Sequence, residues 1–132
     1  MRIVGVDPGV TTGLCICTFK DGADGFTLNT TDFYEIKLSY DFSDRVDMIL
    51  AGVRPTLVVI ESIVQSGHLS REKIQQIRAH DRTIVAAHKR GIKVVEVQPQ
   101  ATKLIRKVPD QVKGNHARDA YRVVMAYFAA RK

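Results

Sequence analysis

Apolar and polar positions along this chain follow two different periods, and the switches between them mark out its elements. Residues 1–7 form a short apolar run that ends in Asp7 and is broken at Pro8-Gly9, the pattern of a buried strand entering a turn. A second strand is predicted through Gly13-Leu14-Cys15-Ile16-Cys17-Thr18-Phe19, ending near Asp21-Gly22. Residues 25–38 read as a third, with Thr, Phe, Tyr and Ile at strand-favouring positions. The three make an antiparallel meander. The period then becomes helical: Val46, Ile49, Leu50 and Val53 share a face, Ser43 is the expected N-cap, and Pro55 stops the helix.

The continuous run Leu57-Val58-Val59-Ile60 suits a strand buried on both faces, and it ends in Glu61. Ser70 caps a long predicted helix reaching about Lys89 and closed by Gly91, with Ile74, Ile77, Ile84 and Val85 expected against the sheet. Residues 92–97 form a fifth strand. Pro99 opens a short helix expected to reach Lys107, and a last helix runs from about Asn115. Strands separated by helices pair in parallel through crossovers. The expected fold class is therefore α/β: a five-stranded mixed sheet, three antiparallel strands and then two parallel, flanked by helices. Its order β-β-β-α-β-α-β-α-α is the RNase H-like topology.

Length and composition narrow the reading. The 132 residues fit one domain, 1–132, with 45% hydrophobic and 26% charged residues. No apolar run is long enough to span a membrane, and the N-terminus lacks the pattern of a signal peptide, so a cytoplasmic protein is expected. Cys15 and Cys17 point to one face of a strand, where a disulfide between them is geometrically poor; core or half-buried thiols in a reducing compartment are expected. The net charge of +6 is unevenly placed: residues 1–70 carry five Lys/Arg against nine Asp/Glu, and residues 71–132 carry fifteen against five. A strongly basic half joined to an acidic one suggests a polyanionic partner.

Asp7 and Glu61 both close apolar strands. If those strands are parallel neighbours, their ends lie about 4.8 Å apart, and two carboxylates that close repel unless a cation lies between them. Oxygen ligands of this kind suit Mg²⁺. His116 and Asp119, three residues apart, project from one face of the last helix. Taken singly, each has a plainer use: Asp7 in a Pro-Gly turn, Asp119 in an ion pair with Arg118 or Arg122, His116 at a helix start. Together they are far more specific.

Ile3-Val4-Gly5-Val6-Asp7-Pro8-Gly9 followed by Thr12-Gly13 resembles the opening motif of the RuvC-type Holliday-junction resolvases. Val58-Val59-Ile60-Glu61 resembles their second acidic motif and His116-Ala117-Arg118-Asp119-Ala120 their third. The resemblance spans essentially the whole chain. It implies a metal-dependent endonuclease acting on branched double-stranded DNA, with Asp7, Glu61, His116 and Asp119 as ligands of two Mg²⁺ ions that Mn²⁺ can replace. It further implies 5′-phosphate and 3′-hydroxyl products and a homodimer. Lys103, in Gln98-Pro99-Gln100-Ala101-Thr102-Lys103, falls where the family carries a basic residue beside the catalytic centre; its plainer use is a solvated charge. Two departures bear on strict four-way-junction specificity. The stretch between Lys103 and His116 is short, and Ser62-Ile63-Val64 is aliphatic where the family often has an aromatic residue.

Arg71, Arg78, Arg82 and Lys89 recur at seven, four and seven residues, which holds them near one helical stripe suited to DNA phosphates. Arg106 and Lys107, with Lys103, extend the expected DNA-binding set. Asp81 falls on the apolar side of that helix, where a partner across a dimer contact would suit it. Other readings remain at this level. The Asp7–Gly13 segment also resembles the phosphate-binding opening of actin-like ATPases and sugar kinases, but 132 residues cannot supply their two lobes. A non-catalytic RNase H-like module that binds branched DNA or RNA, and an RNA-directed nuclease of the same fold, are the others.

Overall fold

A computed structural model of the chain describes residues 1–22, 25–63 and 68–131. Its elements are β1 (Arg2–Asp7), β2 (Thr11–Gly22), β3 (Gly25–Lys37), α1 (Phe42–Val53), β4 (Leu57–Glu61), α2 (Arg71–Lys89), β5 (Lys93–Val97), α3 (Pro99–Lys103) and α4 (Asn115–Ala129). The sheet order is β3-β2-β1-β4-β5. The first three strands pair antiparallel, and β4 and β5 add in parallel beside β1, giving the expected mixed sheet. Among the described residues, no helix is long and apolar enough to cross a membrane.

The two-residue period of a strand sorts this sequence onto two faces. Val4, Val6, Leu14, Ile16, Val58 and Ile60 form one core with Phe42, Val46 and Leu50 of α1 and Ala79, Ala86 and Ala87 of α2. Their odd-numbered neighbours Ile3, Cys15, Cys17, Leu57 and Val59 form a second core with Ala120, Tyr121, Val123 and Val124 of α4. The same parity sends Gly5, Asp7, Gly13 and Glu61 to the α4 face. Gly5 and Gly13 are glycines because α4 lies directly on the strands. A Cβ at Gly5 would overlap the Ala120 carbonyl and meet Val124 Cγ2 at 2.5 Å, and one at Gly13 would overlap the His116 carbonyl. Cys15 and Cys17 are free, buried thiols with their sulfurs 3.9 Å apart; the contact between them and burial both raise the Cys17 pKa.

Four local expectations change. Asp41 rather than Ser43 stands at the N-cap of α1, because Phe42 is already helical and fully buried, which starts the helix early. The short helix α3 ends at Lys103, not Lys107, so Arg106 and Lys107 lie in the irregular segment beyond it. The buried stripe of α2 consists of Ala79, Thr83, Ala86 and Ala87, while Ile74 and Val85 are 39% and 50% exposed. Small side chains let α2 approach the sheet and α1 closely, and Thr83 returns its hydroxyl to the Ala79 carbonyl at 2.7 Å, so it can be buried without an unmet donor. The same rotation turns Asp81 outward, where its carboxylate meets the His80 ring at 3.1 Å. Ser70 caps α2 as expected, accepting from the Lys73 N–H at 3.1 Å. Val64, one of the aliphatic residues after Glu61, lies outside the described residues.

Candidate active site

Residues 3–6 of β1 pair in parallel with residues 57–60 of β4, so Asp7 and Glu61 are the next positions along adjacent strands, on the face covered by α4. Each strand delivers its acid for the same reason: an apolar run keeps it buried up to its last residue, where the sheet edge meets water. The loop after Asp7 is tied by Thr12, which is fully buried. Its hydroxyl donates to the Gly9 carbonyl at 3.0 Å and accepts from the Gly9 N–H at 3.2 Å. This closes the Asp7-Pro8-Gly9 turn and explains the threonine of the opening motif.

The last helix brings the other pair. His116 Nδ1 lies 3.5 Å from Asp7 Oδ2, a long contact for a hydrogen bond. Asp119 is near enough to both strand acids to perturb them. The Asp7 pKa is raised from 3.8 to about 7, first by burial, then by the charges of Asp119 and Glu61, with His116 partly offsetting them. Glu61 is raised as well, chiefly by burial and further by Asp119, while the Thr102 hydroxyl and Lys103 pull it down. All four residues singled out in the sequence therefore gather at one end of the sheet. Lys103 joins them, close enough for its charge to act on Glu61.

Their present partners matter for what they can hold. Asp119 Oδ1 accepts from Arg122 Nη1 at 2.6 Å, the ion pair anticipated for this acid, and Arg122 Nε also donates to the Ile105 carbonyl at 3.2 Å. Glu61 Oε2 accepts from the Thr102 hydroxyl at 2.9 Å, whose single proton is shared with the Pro99 carbonyl at 2.8 Å. Among the described residues no three His, Cys, Asp or Glu side chains are close enough, in these conformations, to enclose a metal ion. The donor chemistry nevertheless suits a hard divalent cation. Three carboxylates and an imidazole gather at this sheet end; burial and neighbouring negative charge oppose ionisation of Asp7 and Glu61, and a cation would offset both penalties.

Two residues at this site were missed in the sequence. Thr102 positions Glu61, and Glu35 of β3 accepts from the backbone N–H groups of His116 and Ala117 at 2.9 and 3.2 Å. Arg118 turns away from Asp119 and donates to the Pro109 and Val112 carbonyls. Lys103, Arg106 and Arg122 line a hollow of about 410 Å³ with Asp119, so the nearest cations to the acids come from α3, α4 and the segment between them. Lys107 lines an adjoining hollow with Arg106 and Arg118. The stripe Arg71, Arg78, Arg82 and Lys89 is exposed on α2, across the sheet from α4. Arg82 also donates to the Ser39 carbonyl at 3.1 Å, tying down the segment between β3 and α1.

No protein-family model and no curated protein matches this chain. Solved structures do. RuvC of Thermus thermophilus in complex with Holliday junction substrate aligns with a TM-score of 0.71 at 19% identity, over 99% of this chain and 95% of that one. The fowlpox virus Holliday junction resolvase aligns at 0.67 and 13% identity over all of both chains. The yeast mitochondrial Holliday junction resolvase Ydc2 follows at 0.61 and 11%, over 96% of this chain and 77% of that one. This chain has the RuvC-type resolvase fold. In this chain Asp7 ends β1, Glu61 ends β4, and His116 and Asp119 lie in the first turns of α4.

The raised carboxylates carry a stability consequence. Asp7 binds its proton more tightly folded than unfolded, so between about pH 4 and pH 7 the folded state holds more protons and stability falls as pH rises. Without divalent metal, the wild-type chain should lose on the order of 3 kcal/mol across that window, or roughly 10 °C in Tm. Thermal melts of Asp7→Asn should show a much flatter pH dependence and a higher Tm at pH 8. Parallel slopes in the two proteins would mean that Asp7 is ionised without strain.

Proposed function

We propose that this chain is a Mg²⁺-dependent, structure-selective endonuclease that hydrolyses phosphodiester bonds in branched DNA, acting on four-way junctions in recombination, repair or phage DNA processing. The observation that carries the reading is the convergence of Asp7, Glu61, His116 and Asp119 at one sheet end, with Asp7 held near pKa 7 by burial and by its neighbours' charge. The shared fold with proteins described as Holliday junction resolvases supports the choice of branched DNA.

Asp7, Glu61, Asp119 and His116 would hold two Mg²⁺ ions; Mn²⁺, with similar ligand preferences, would substitute. Bound there, the ions would activate water for in-line attack and stabilise the departing oxygen. The chain's own groups would do the rest. Thr102 holds one Glu61 oxygen and so fixes the direction of the other. Were Asp119 to serve as a ligand, its pair with Arg122 would open, and the Arg122 guanidinium, which lines a hollow with Lys103 and Arg106, would be free to meet the phosphate backbone. Lys103 steadies the scissile phosphate, and the cleaved strand leaves with 5′-phosphate and 3′-hydroxyl ends. Paired nicks in opposed strands require two such sites, so the reading includes a homodimer.

Arg71, Arg78, Arg82 and Lys89 on α2, with Arg106 and Lys107, would take phosphate contacts. Charge reversal at Arg78 and Arg82 together should weaken junction binding and reduce the slope of log K against log salt by about 2. An unchanged slope would remove α2 from the DNA path.

The Asp119–Arg122 pair favours one other reading, a non-catalytic module that binds branched nucleic acid with its acids neutralised internally. Cleavage of labelled four-way junction, flap, linear duplex and RNA–DNA hybrid, with and without Mg²⁺, separates the two. Metal-dependent, symmetric nicking of the junction is the expected result. Equal cutting of flaps keeps the nuclease but broadens its substrate, and preference for the hybrid makes it an RNA-directed one. Binding without cleavage in Mg²⁺ or Mn²⁺ overturns the enzymatic reading.

A further inference from the structure

The first turn of α4 carries the His116-to-Asp119 motif, yet its own sequence gives it no cap. Gly114 stands at the N-cap, has no side chain, and adopts a positive φ of 88°. The N–H groups of the second and third helical residues, His116 and Ala117, are the ones an N-cap side chain normally satisfies. Here both donate to Glu35 Oε2, at 2.9 and 3.2 Å, from a strand more than eighty residues earlier. The carboxylate also places negative charge at the positive end of the helix dipole.

The sheet register shows why the cap comes from that strand. Glu35 pairs with Gly13, and Gly13 pairs with Asp7, so the three lie in one row across β3, β2 and β1. Gly13 leaves the row open in the middle, where the His116 carbonyl sits. Glu35 holds the backbone of His116 on one side of that gap, and Asp7 meets its imidazole at 3.5 Å on the other. Gly114 is confined as well: a Cβ there would meet the Glu35 carboxylate carbon at 2.7 Å, besides the strain of its φ.

We infer that Glu35 is a positioning residue for His116. It clamps the first turn of α4 onto the Gly13 gap, so that the imidazole faces Asp7 and the pair can share a metal ion. The inference rests on the nuclease reading for the metal but not for the clamp. Glu35 touches neither substrate nor metal in this account, and it acts through the helix backbone.

The test compares Glu35→Ala, Glu35→Asp and Glu35→Gln in the full chain. Gln keeps an oxygen at the same reach, and both N–H groups can still donate to it. Asp keeps the charge but falls short by one methylene. Calorimetric titration with Mn²⁺ should show binding weakened roughly tenfold or more in the Ala and Asp variants. The Gln variant should stay within about twofold of wild type, because the hydrogen bonds and not the charge set the geometry. The His116 imidazole resonances of the metal-free protein should shift in the Ala and Asp variants and stay in place in the Gln variant. A merely structural cap would lower Tm while leaving the Mn²⁺ affinity of the folded protein and the His116 resonances unchanged, and that pattern overturns the inference. If the Ala variant does not fold, the Asp and Gln variants carry the comparison. If the wild type binds no Mn²⁺ and cuts nothing, the nuclease reading fails by itself. The His116 resonances then decide the clamp: shifted in the Asp variant, it stands; unmoved, it falls.

Discussion

Asp7→Asn and Glu61→Gln should each slow Mg²⁺-dependent cleavage of a labelled four-way junction by at least about 10³-fold under single-turnover conditions. A ligand carboxylate that anchors the ions contributes several kcal/mol of charge stabilisation in the transition state, and each 1.36 kcal/mol is a factor of ten in rate. Both substitutions keep shape and remove charge, so loss of packing does not confuse the result. Asp7→Asn also removes the buried charge, and with it the repulsion by Asp119 and Glu61, that together raise the Asp7 pKa to about 7, so the inactive variant should be the more stable protein without metal. Loss of activity with gain of stability is the signature of a charged site built against the interests of the fold. Junction binding measured without metal should survive in both variants. Wild-type cleavage rates in either variant would remove the acids from the chemistry, whatever their proximity.

Gly13→Ala should destabilise the chain by at least about 3 kcal/mol, the upper end of what one added carbon does to a packed interface. The new methyl would fall on the His116 carbonyl and carbon and lie 2.7 Å from the Ala117 nitrogen; all are backbone atoms, with no rotamer to yield. Relief requires α4 to lift from β2, which also pulls His116 away from Asp7. Tm should therefore drop by roughly 10 °C, and Mn²⁺ affinity should fall with it. Gly52→Ala is the control. Nothing lies within 4 Å of a Cβ built there, it lies in the last turn of α1, and replacing it should leave stability unchanged or raise it by up to about 0.5 kcal/mol. Equal melts for Gly13→Ala and wild type would mean that α4 does not sit on the sheet as described.

Much of the site was legible because its residues end regular elements. Asp7 and Glu61 each follow an apolar run, and strand parity places both on one face once the runs are known to be neighbours. His116 and Asp119 share a helix face by spacing alone. Where reading failed, the cause was competition between similar local signals. Ile74 and Val85 looked like the buried face of α2 because they are the larger hydrophobes, but Ala79, Ala86 and Ala87 allow a closer approach and won. Arg106 and Lys107 were expected inside α3; that helix ends at Lys103, where the chain tightens into three-residue turns, the Leu104 N–H donating to the Ala101 carbonyl and the Ile105 N–H to the Thr102 carbonyl.

The element order, the mixed sheet, the basic second half and the identity of the four clustered residues were legible along the chain. Each of these depends on periodicity, strand termini or short spacing, which are local properties of a chain. Which partners those residues have depends on how distant segments meet in three dimensions. Glu35 caps a helix that begins eighty residues later, and Thr102 reaches Glu61 from another element. Hydrogen bonds between distant segments leave no periodic trace, because any polar residue at the right point in space can make them. The two close-approach glycines are the partial exception. A glycine inside a strand announces that something passes over it, and the fold alone says that it is α4.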